Sequence, residues 1–192
     1  MVWEDMIDNT LFGKIDLVQD AIDLLKELEP PEGYYLAFSG GKDSVVIKEL
    51  ANMAGVKYDA HYNLTTIDPP ELVYFIREHH KDVIVEKPEI PLLTMLVKKG
   101  FPQRQRRWCC QKYKERGGSG RYVITGIRKA ESNNRKARGQ VETCYGDKSK
   151  QFVHPIFTWT DTQVWRFIEI HNLPYCKLYD EGWKRVGCLF CP

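Results

Sequence analysis

No stretch of 18 or more apolar residues occurs in the 192-residue sequence, which excludes a membrane-spanning helix. A signal peptide and a lipidation motif are also missing, so the expected location is cytoplasmic, with no membrane partner. Internal repeats, low-complexity tracts and dividing linkers are absent as well. The expectation is therefore one domain over residues 1–192 rather than an array. Acidic residues are scarce in one place: across residues 98–138 Glu115 and Glu131 face 14 lysines and arginines. That segment carries +12 and the remainder −10, a segregation hidden by a net charge of +2. A charge run is often just a solvated face, but this one is rich in arginine and sits beside glycines and cysteines, which favours an anionic partner. In a reducing compartment its six cysteines are expected as thiols or metal ligands rather than disulfides.

What is present begins with FSGGKDS at residues 38–44. The motif leaves an apolar run, YYLAF, and enters a helical pattern. Ser39, Gly40, Gly41, Lys42, Asp43 and Ser44 thus occupy a strand-to-helix turn. Such a turn aims free backbone N–H groups and the positive end of a helix dipole at one point, and the missing Cβ atoms let a bulky anion approach. The spacing is not that of a Walker A loop.

Strands are expected at residues 34–38, 57–64, 83–85, 121–125 and 152–156, and helices at 16–29, 44–54, 69–80, 92–99 and 160–171. The last helix opens with a capping box, Thr160 and Gln163. This alternation predicts a single Rossmann-like α/β domain with a mostly parallel five-stranded sheet covered by helices on both faces. The loops after residues 38, 64 and 125 then open on one edge, where ligands of such sheets bind. His79 and His80 read as exposed residues at a helix end, and Trp159, Trp165 and Trp183 as packing residues.

SGGKDS resembles the PP-loop of the adenine nucleotide alpha-hydrolase superfamily, which includes the phosphoadenylyl-sulfate and adenylyl-sulfate reductases. GIRKAESNNR at 126–135 is similar to the basic loop of those reductases, and PIFTWTDTQVW at 155–165 to their P-x-x-x-W-T-x-x-x-V-W segment. The resemblance runs from residue 34 to 192. It implies an adenine nucleotide or adenylyl sulfate held by the PP-loop, by Thr66 and Asp68, and by Gly126, Arg128, Ser132, Arg135 and Arg138. Thioredoxin is the partner it implies. Mg2+ enters if ATP is the substrate, with Asp43 beside it.

Cys109-Cys110, together with Cys188 and Cys191 of a C-x-x-C, resembles the [4Fe–4S] site of assimilatory adenylyl-sulfate reductases. Adjacent cysteines suit a cluster, whose separate irons can take neighbouring thiolates; zinc is the alternative, and unligated thiols a third reading. The reductases also carry a catalytic cysteine in a mobile tail. No position here matches it, which leaves Cys144 as a weak candidate nucleophile and Cys176 as an ordinary thiol. Three readings follow: a reductase or sulfur-transfer protein acting on an adenylylated sulfate; an ATP-dependent thiolation protein that meets nucleic acid through residues 98–138; or a non-catalytic nucleotide sensor.

Overall fold

The computed structural model of the chain describes residues 6–10, 13–103 and 105–189. An antiparallel hairpin of β1 (Ile7–Thr10) and β2 (Gly13–Asp16) precedes the domain proper. The remaining elements are α1 (Leu17–Glu27), β3 (Tyr34–Ala37), α2 (Lys42–Ala54), β4 (Tyr58–Asn63), α3 (Pro70–His79), β5 (Ile84–Glu86) and α4 (Leu92–Lys99). They continue with β6 (Tyr122–Ile124), the short α5 (Asn133–Lys136), β7 (Val141–Thr143), β8 (Gln151–Val153) and α6 (Asp161–Ile170).

Each helix starts where local chemistry permits it. Asp16 caps α1 by accepting from Val18 N at 3.0 Å and Gln19 N at 3.1 Å, and the buried residues Leu17, Val18, Ala21, Ile22 and Leu25 form its inner stripe. The expected capping box opens α6: Thr160 N donates to Gln163 Oε1 at 2.7 Å, and Gln163 N returns a bond to Thr160 Oγ1 at 3.3 Å. Proline supplies the first turn of α3.

The sheet runs β5-β4-β3-β6-β8-β7, and every pairing is parallel except β7 with β8. The five expected strands are present, and antiparallel β7 adds a sixth. Sequence periodicity gave no sign of β7, because three residues with an exposed–intermediate–exposed pattern carry no apolar run. On one side of the sheet Tyr34 and Leu36 are fully buried in the large core that also takes residues from α1, α2, α3 and α6. Tyr34 Oη donates to Leu25 O at 2.8 Å, which fixes α1 to this face. On the other side Tyr35 stacks on His61 at 4.3 Å and is covered by Gly117 and Gly118. A smaller apolar cluster of Leu92, Met95 and Tyr113 joins α4 to the π-helical turn Cys110–Lys114. Trp159 is buried as expected, Trp165 packs partly buried against the large core, and Trp183 is 40% exposed. Among the described residues no helix is long and apolar enough to cross a membrane.

His79 is exposed as expected, but His80 is buried. Its Nδ1 lies 3.3 Å from Lys48 Nζ, which itself bonds to Asp82 at 2.7 Å, and its ring packs on Phe38 and Phe75. Burial, reinforced by the Lys48 charge, pushes the His80 imidazole down to about 4. The unfolded chain therefore binds a proton near pH 6.5 that the fold refuses until about pH 4. This stability is complete above pH 6.5 and is lost as the pH falls toward 4, by up to about 3 kcal/mol. Urea denaturation of wild type and His80→Gln across pH 7 to 4 should show a clearly steeper loss in the wild type. Parallel pH profiles would contradict the assignment.

Candidate functional site

The first strand of the parallel set, β3, has β4 on one side and β6 on the other, so the chain reverses direction across the sheet there. Crevices at such a switch point, beyond the carboxyl ends of the strands, are where ligands lodge. The loop at residues 38–41 leaves β3 into this crevice. Gly40 has φ +73°, and a Cβ there would lie 2.6 Å from Leu72 and 2.7 Å from Ile76, so both the backbone and α3 demand glycine. Gly126, at the end of β6, presses on the start of α2, where a Cβ would lie 2.9 Å from that of Asp43. The Gly41 N-cap of α2 makes no side-chain cap bond. Lys42 N donates instead to Tyr179 Oη at 3.0 Å, across 137 residues. Sequence reasoning missed Tyr179, since nothing local marks a tyrosine in a 3₁₀ turn as a partner of the loop.

A cavity of about 560 Å³ opens over this loop, within the size range of small-molecule sites. Ser39, Gly41, Asp43 and Ser44 line it from the PP-loop segment, Asp68 from the loop after β4, and Gly126 and Arg135 from the segment after β6. Arg107, Lys114, Arg185 and Cys188 complete its charged and thiol wall.

The other sequence candidates sit elsewhere. Lys42 is 4% exposed, with Nζ 3.1 Å from Asp161 and 3.7 Å from Asp43, above the rings of Tyr179 and Trp165. Arg128 is 3% exposed; its Nε donates to Asp43 Oδ1 at 2.6 Å, Nη2 to Asp161 Oδ1 at 2.9 Å and Nη1 to Trp159 O at 3.4 Å. Burial pushes the Asp161 carboxyl up, but Lys42 and Arg128 outweigh it and hold the group below the usual carboxylate range. Ser132 caps α5 by accepting from Arg135 N at 3.3 Å, and Arg138 pairs with Glu142. Thr66, in the left-handed region at φ +69°, accepts from Leu92 N at 2.9 Å and so fixes the start of α4.

A second, smaller cavity collects Cys109, Cys110 and Cys188, together with Thr65, Tyr113 and Lys114. The π-helical turn sets Cys110 and Lys114 on one side, a local distortion of a kind often found at functional sites. Cys188 Sγ donates to Thr65 Oγ1 at 3.4 Å and to Asp68 Oδ1 at 3.7 Å. Burial raises the Cys188 thiol, with Lys114 acting against it. Burial alone would lower the Lys114 ammonium, yet Cys188, Asp68 and Cys110 more than compensate and raise it. Among the described residues no group of three Cys, His, Asp or Glu side chains is arranged to hold a metal ion. Cys191, the fourth expected ligand, lies outside the described residues. Cys144 belongs to the hairpin between β7 and β8, where its N bonds to Lys150 O at 2.9 Å, and it does not line either cavity. Cys176 is fully buried.

The family model for the phosphoadenosine phosphosulfate reductase domain matches residues 33–192. The chain belongs to that family. An uncharacterized protein of Methanocaldococcus jannaschii is 29% identical over 98% of this chain, which spans 41% of that relative's length. Adenosine 5'-phosphosulfate reductase 2 of Bacillus subtilis is 26% identical over 98% of this chain and 84% of its own. Among solved structures, phosphoadenylyl-sulfate reductase from Candida auris, a phosphate complex, superposes with a TM-score of 0.68 at 19% identity, covering 90% of this chain and 89% of that one. That likeness is one of fold. It agrees with the single α/β domain and mostly parallel sheet expected from the alternation of strands and helices.

The four-membered network of Lys42, Asp43, Arg128 and Asp161 yields a stability test. Arg128→Met leaves Asp43 and Asp161 with Lys42 alone and should cost about 2–3 kcal/mol, less than for a fully buried pair because Asp161 is 62% exposed. Asp161→Asn should cost clearly less in the same urea titration, and the reverse order would contradict the network as described.

Proposed function

We propose that this domain binds an adenylylated sulfate and takes part in reducing or transferring its sulfur, with an iron–sulfur cluster held by Cys109, Cys110, Cys188 and Cys191. One observation carries the reading: Lys114 and Cys188 line both cavities, so the thiol site abuts the site beside the PP-loop. The thiols of Cys109, Cys110 and Cys188 around one cavity are three of the four donors that a [4Fe–4S] cluster takes, with Cys191 as the fourth in this reading, and the Lys114 ammonium beside them offsets thiolate charge. The cluster, once bound, supplies a compact group of thiolate-held irons that modulates the local field.

The remaining roles belong to the chain's own side chains. The N-terminus of α2, with Ser39 and Ser44, receives the anionic end of the nucleotide. The Lys114 ammonium, stabilised by its neighbours, balances negative charge where the two cavities meet. Asp68 holds the loop after β4 by accepting from Thr65 N at 2.7 Å. Cleavage of the sulfur from adenylate needs an attacking thiolate and a dithiol reductant of the thioredoxin kind. Cys144 and Cys176, the two cysteines that this reading does not commit to the cluster, are not among the residues that line the cavity.

A second reading, ATP-dependent sulfur transfer to nucleic acid, draws on the +12 segment. Its Lys98 and Lys99 end α4, which lines the thiol cavity through Leu92 and Leu96, its Arg106 and Arg116 flank Cys109 and Cys110 in the sequence, and all four are exposed. There the adenylate would activate an acceptor, with Mg2+ beside Asp43.

The test is anaerobic purification followed by iron and acid-labile sulfide analysis and by calorimetric titration with adenylyl sulfate. The expected protein is brown, carries about four irons and four sulfides per chain, loses iron when Cys109, Cys110, Cys188 or Cys191 is replaced by Ser, and binds adenylyl sulfate. Stoichiometric zinc without sulfide would overturn the cluster. ATP cleavage to AMP and pyrophosphate, stimulated by nucleic acid, would favour the second reading.

A further inference from the structure

Three neighbouring strands bring a hydroxyl, an imidazole and a carboxylate into one chain of contacts. Thr125 follows β6 and is half-buried in the wall of the nucleotide cavity. Its Oγ1 lies 2.7 Å from Nδ1 of His154, which follows β8 and is fully buried. His154 Nε2 lies in turn 3.2 Å from Oε1 of Glu142 on β7. Backbone bonds fix the alignment: Thr125 N donates to Val153 O at 3.0 Å, and His154 N to Gln140 O at 2.8 Å. The rings of Phe152 and Phe157 stack near the imidazole, with centroids at 6.0 and 6.3 Å.

The proton positions follow from charge. Burial lowers the His154 imidazole, and Arg138 and Arg135 act in the same direction against the pull of Glu142, so the ring is uncharged at neutral pH. Burial pushes the Glu142 carboxyl up, but Arg138 and His154 outweigh it, so the group is a carboxylate and only accepts. Nε2 therefore carries the ring proton, and the Nδ1 lone pair takes the Thr125 hydroxyl proton. Thr125 Oγ1 keeps its lone pairs for the cavity, backed by a base that solvent does not reach. A histidine that only fills a core has no need of a hydroxyl on a cavity wall. This one is the middle of a hydroxyl–imidazole–carboxylate chain, the arrangement that activates nucleophiles on unrelated folds.

We propose that Thr125, His154 and Glu142 give the domain a hydrolytic activity, the cleavage of an adenylate anhydride by water at the adenylate phosphorus. It rests on the proposed adenine nucleotide site and needs no reductant. The attacking water passes a proton to Thr125 Oγ1 as its oxygen bonds to phosphorus, and the Thr125 proton passes to His154 Nδ1. The bridging P–O bond breaks and its electron pair leaves with the distal sulfate, giving AMP and sulfate with no change of oxidation state. The proton on His154 then returns to solvent through Thr125. Arg135 and the N-terminus of α2 face the same cavity and balance charge as it grows on the phosphate. Thr125 is the catalytic residue, and His154 and Glu142 orient its hydroxyl and hold its proton.

The test incubates the full chain with adenylyl sulfate in water labelled with heavy oxygen, without thiol, and follows AMP by chromatography and the label by mass spectrometry. Isothermal titration with AMP and with α,β-methylene ADP measures binding separately. Wild type should form AMP that carries the label. Thr125→Val should lower kcat about a hundredfold, the scale of one acid–base group, with binding within about twofold of wild type. Thr125→Ser should restore most of the rate, which a purely structural loss would not allow. Glu142→Gln should lower kcat and leave KM in place; where Thr125→Val loses binding as well, Glu142→Gln decides. Label in the sulfate, or equal kcat in wild type and these variants, would overturn the relay. Binding without AMP formation in wild type would overturn the relay and leave the nucleotide site standing, whereas failure to bind either nucleotide would overturn both.

Discussion

Two carboxylates, Asp43 and Asp161, hold the same two buried cations, Lys42 and Arg128, and the site depends on that exchange. Asp43 stands in the first turn of α2, Asp161 in the first turn of α6, and Arg128 in the segment after β6. Three loops that leave different strands are thereby fixed against one another at the carboxyl edge of the sheet. The arrangement also places negative side chains at the positive ends of two helices, where the dipole favours them. Isolated surface ion pairs contribute little. Here both cations are nearly fully buried, so removing either partner leaves charge with poor solvation, and the loops keep their positions.

The consequence for the site is a division of labour among basic residues that looked alike in the sequence. Lys42 and Arg128 are buried in ion pairs with Asp43 and Asp161, and Arg138 pairs with Glu142 on β7. Arg135, Arg107, Lys114 and Arg185 face the cavity. The positive field of the 98–138 segment is therefore delivered by a subset of its cations, with Arg185 contributing from beyond it. Lys114 and Cys188 then join this field to the thiol cavity, so that an anion bound at the PP-loop and a group bound at the thiols would share one wall.

Much of this was legible in the sequence because its signals are local. The glycine turn, the capping box of Thr160 and Gln163, and the apolar stripe of α1 each specify an element within a few residues, and the structure has all three. The alternation of strand and helix likewise carried the parallel sheet. The rest is set by partners far apart in the chain. Arg128 meets Asp43 across 85 residues and Asp161 across 33, and no local pattern reveals which arginine of a basic loop will be buried against distant carboxylates. His80 looked like a solvated helix end because the Phe38 and Lys48 that bury it come from β3's exit and α2. The π-helical turn at Cys110–Lys114 and the short edge strand β7 lack the periodicity that would have announced them. Cys191 lies outside the described residues, so the fourth expected thiol has no counterpart in the geometry.

The central claim is that one nucleotide cavity and one thiol site meet at Lys114 and Cys188. An anaerobic crystal structure of the full chain with adenylyl sulfate tests it most directly. The account predicts adenylate in the cavity over β3, its anionic end at the N-terminus of α2, and the distal sulfur on the side of Lys114 and Cys188. A nucleotide bound away from the α2 N-terminus, or one whose distal group points away from Lys114, would contradict it.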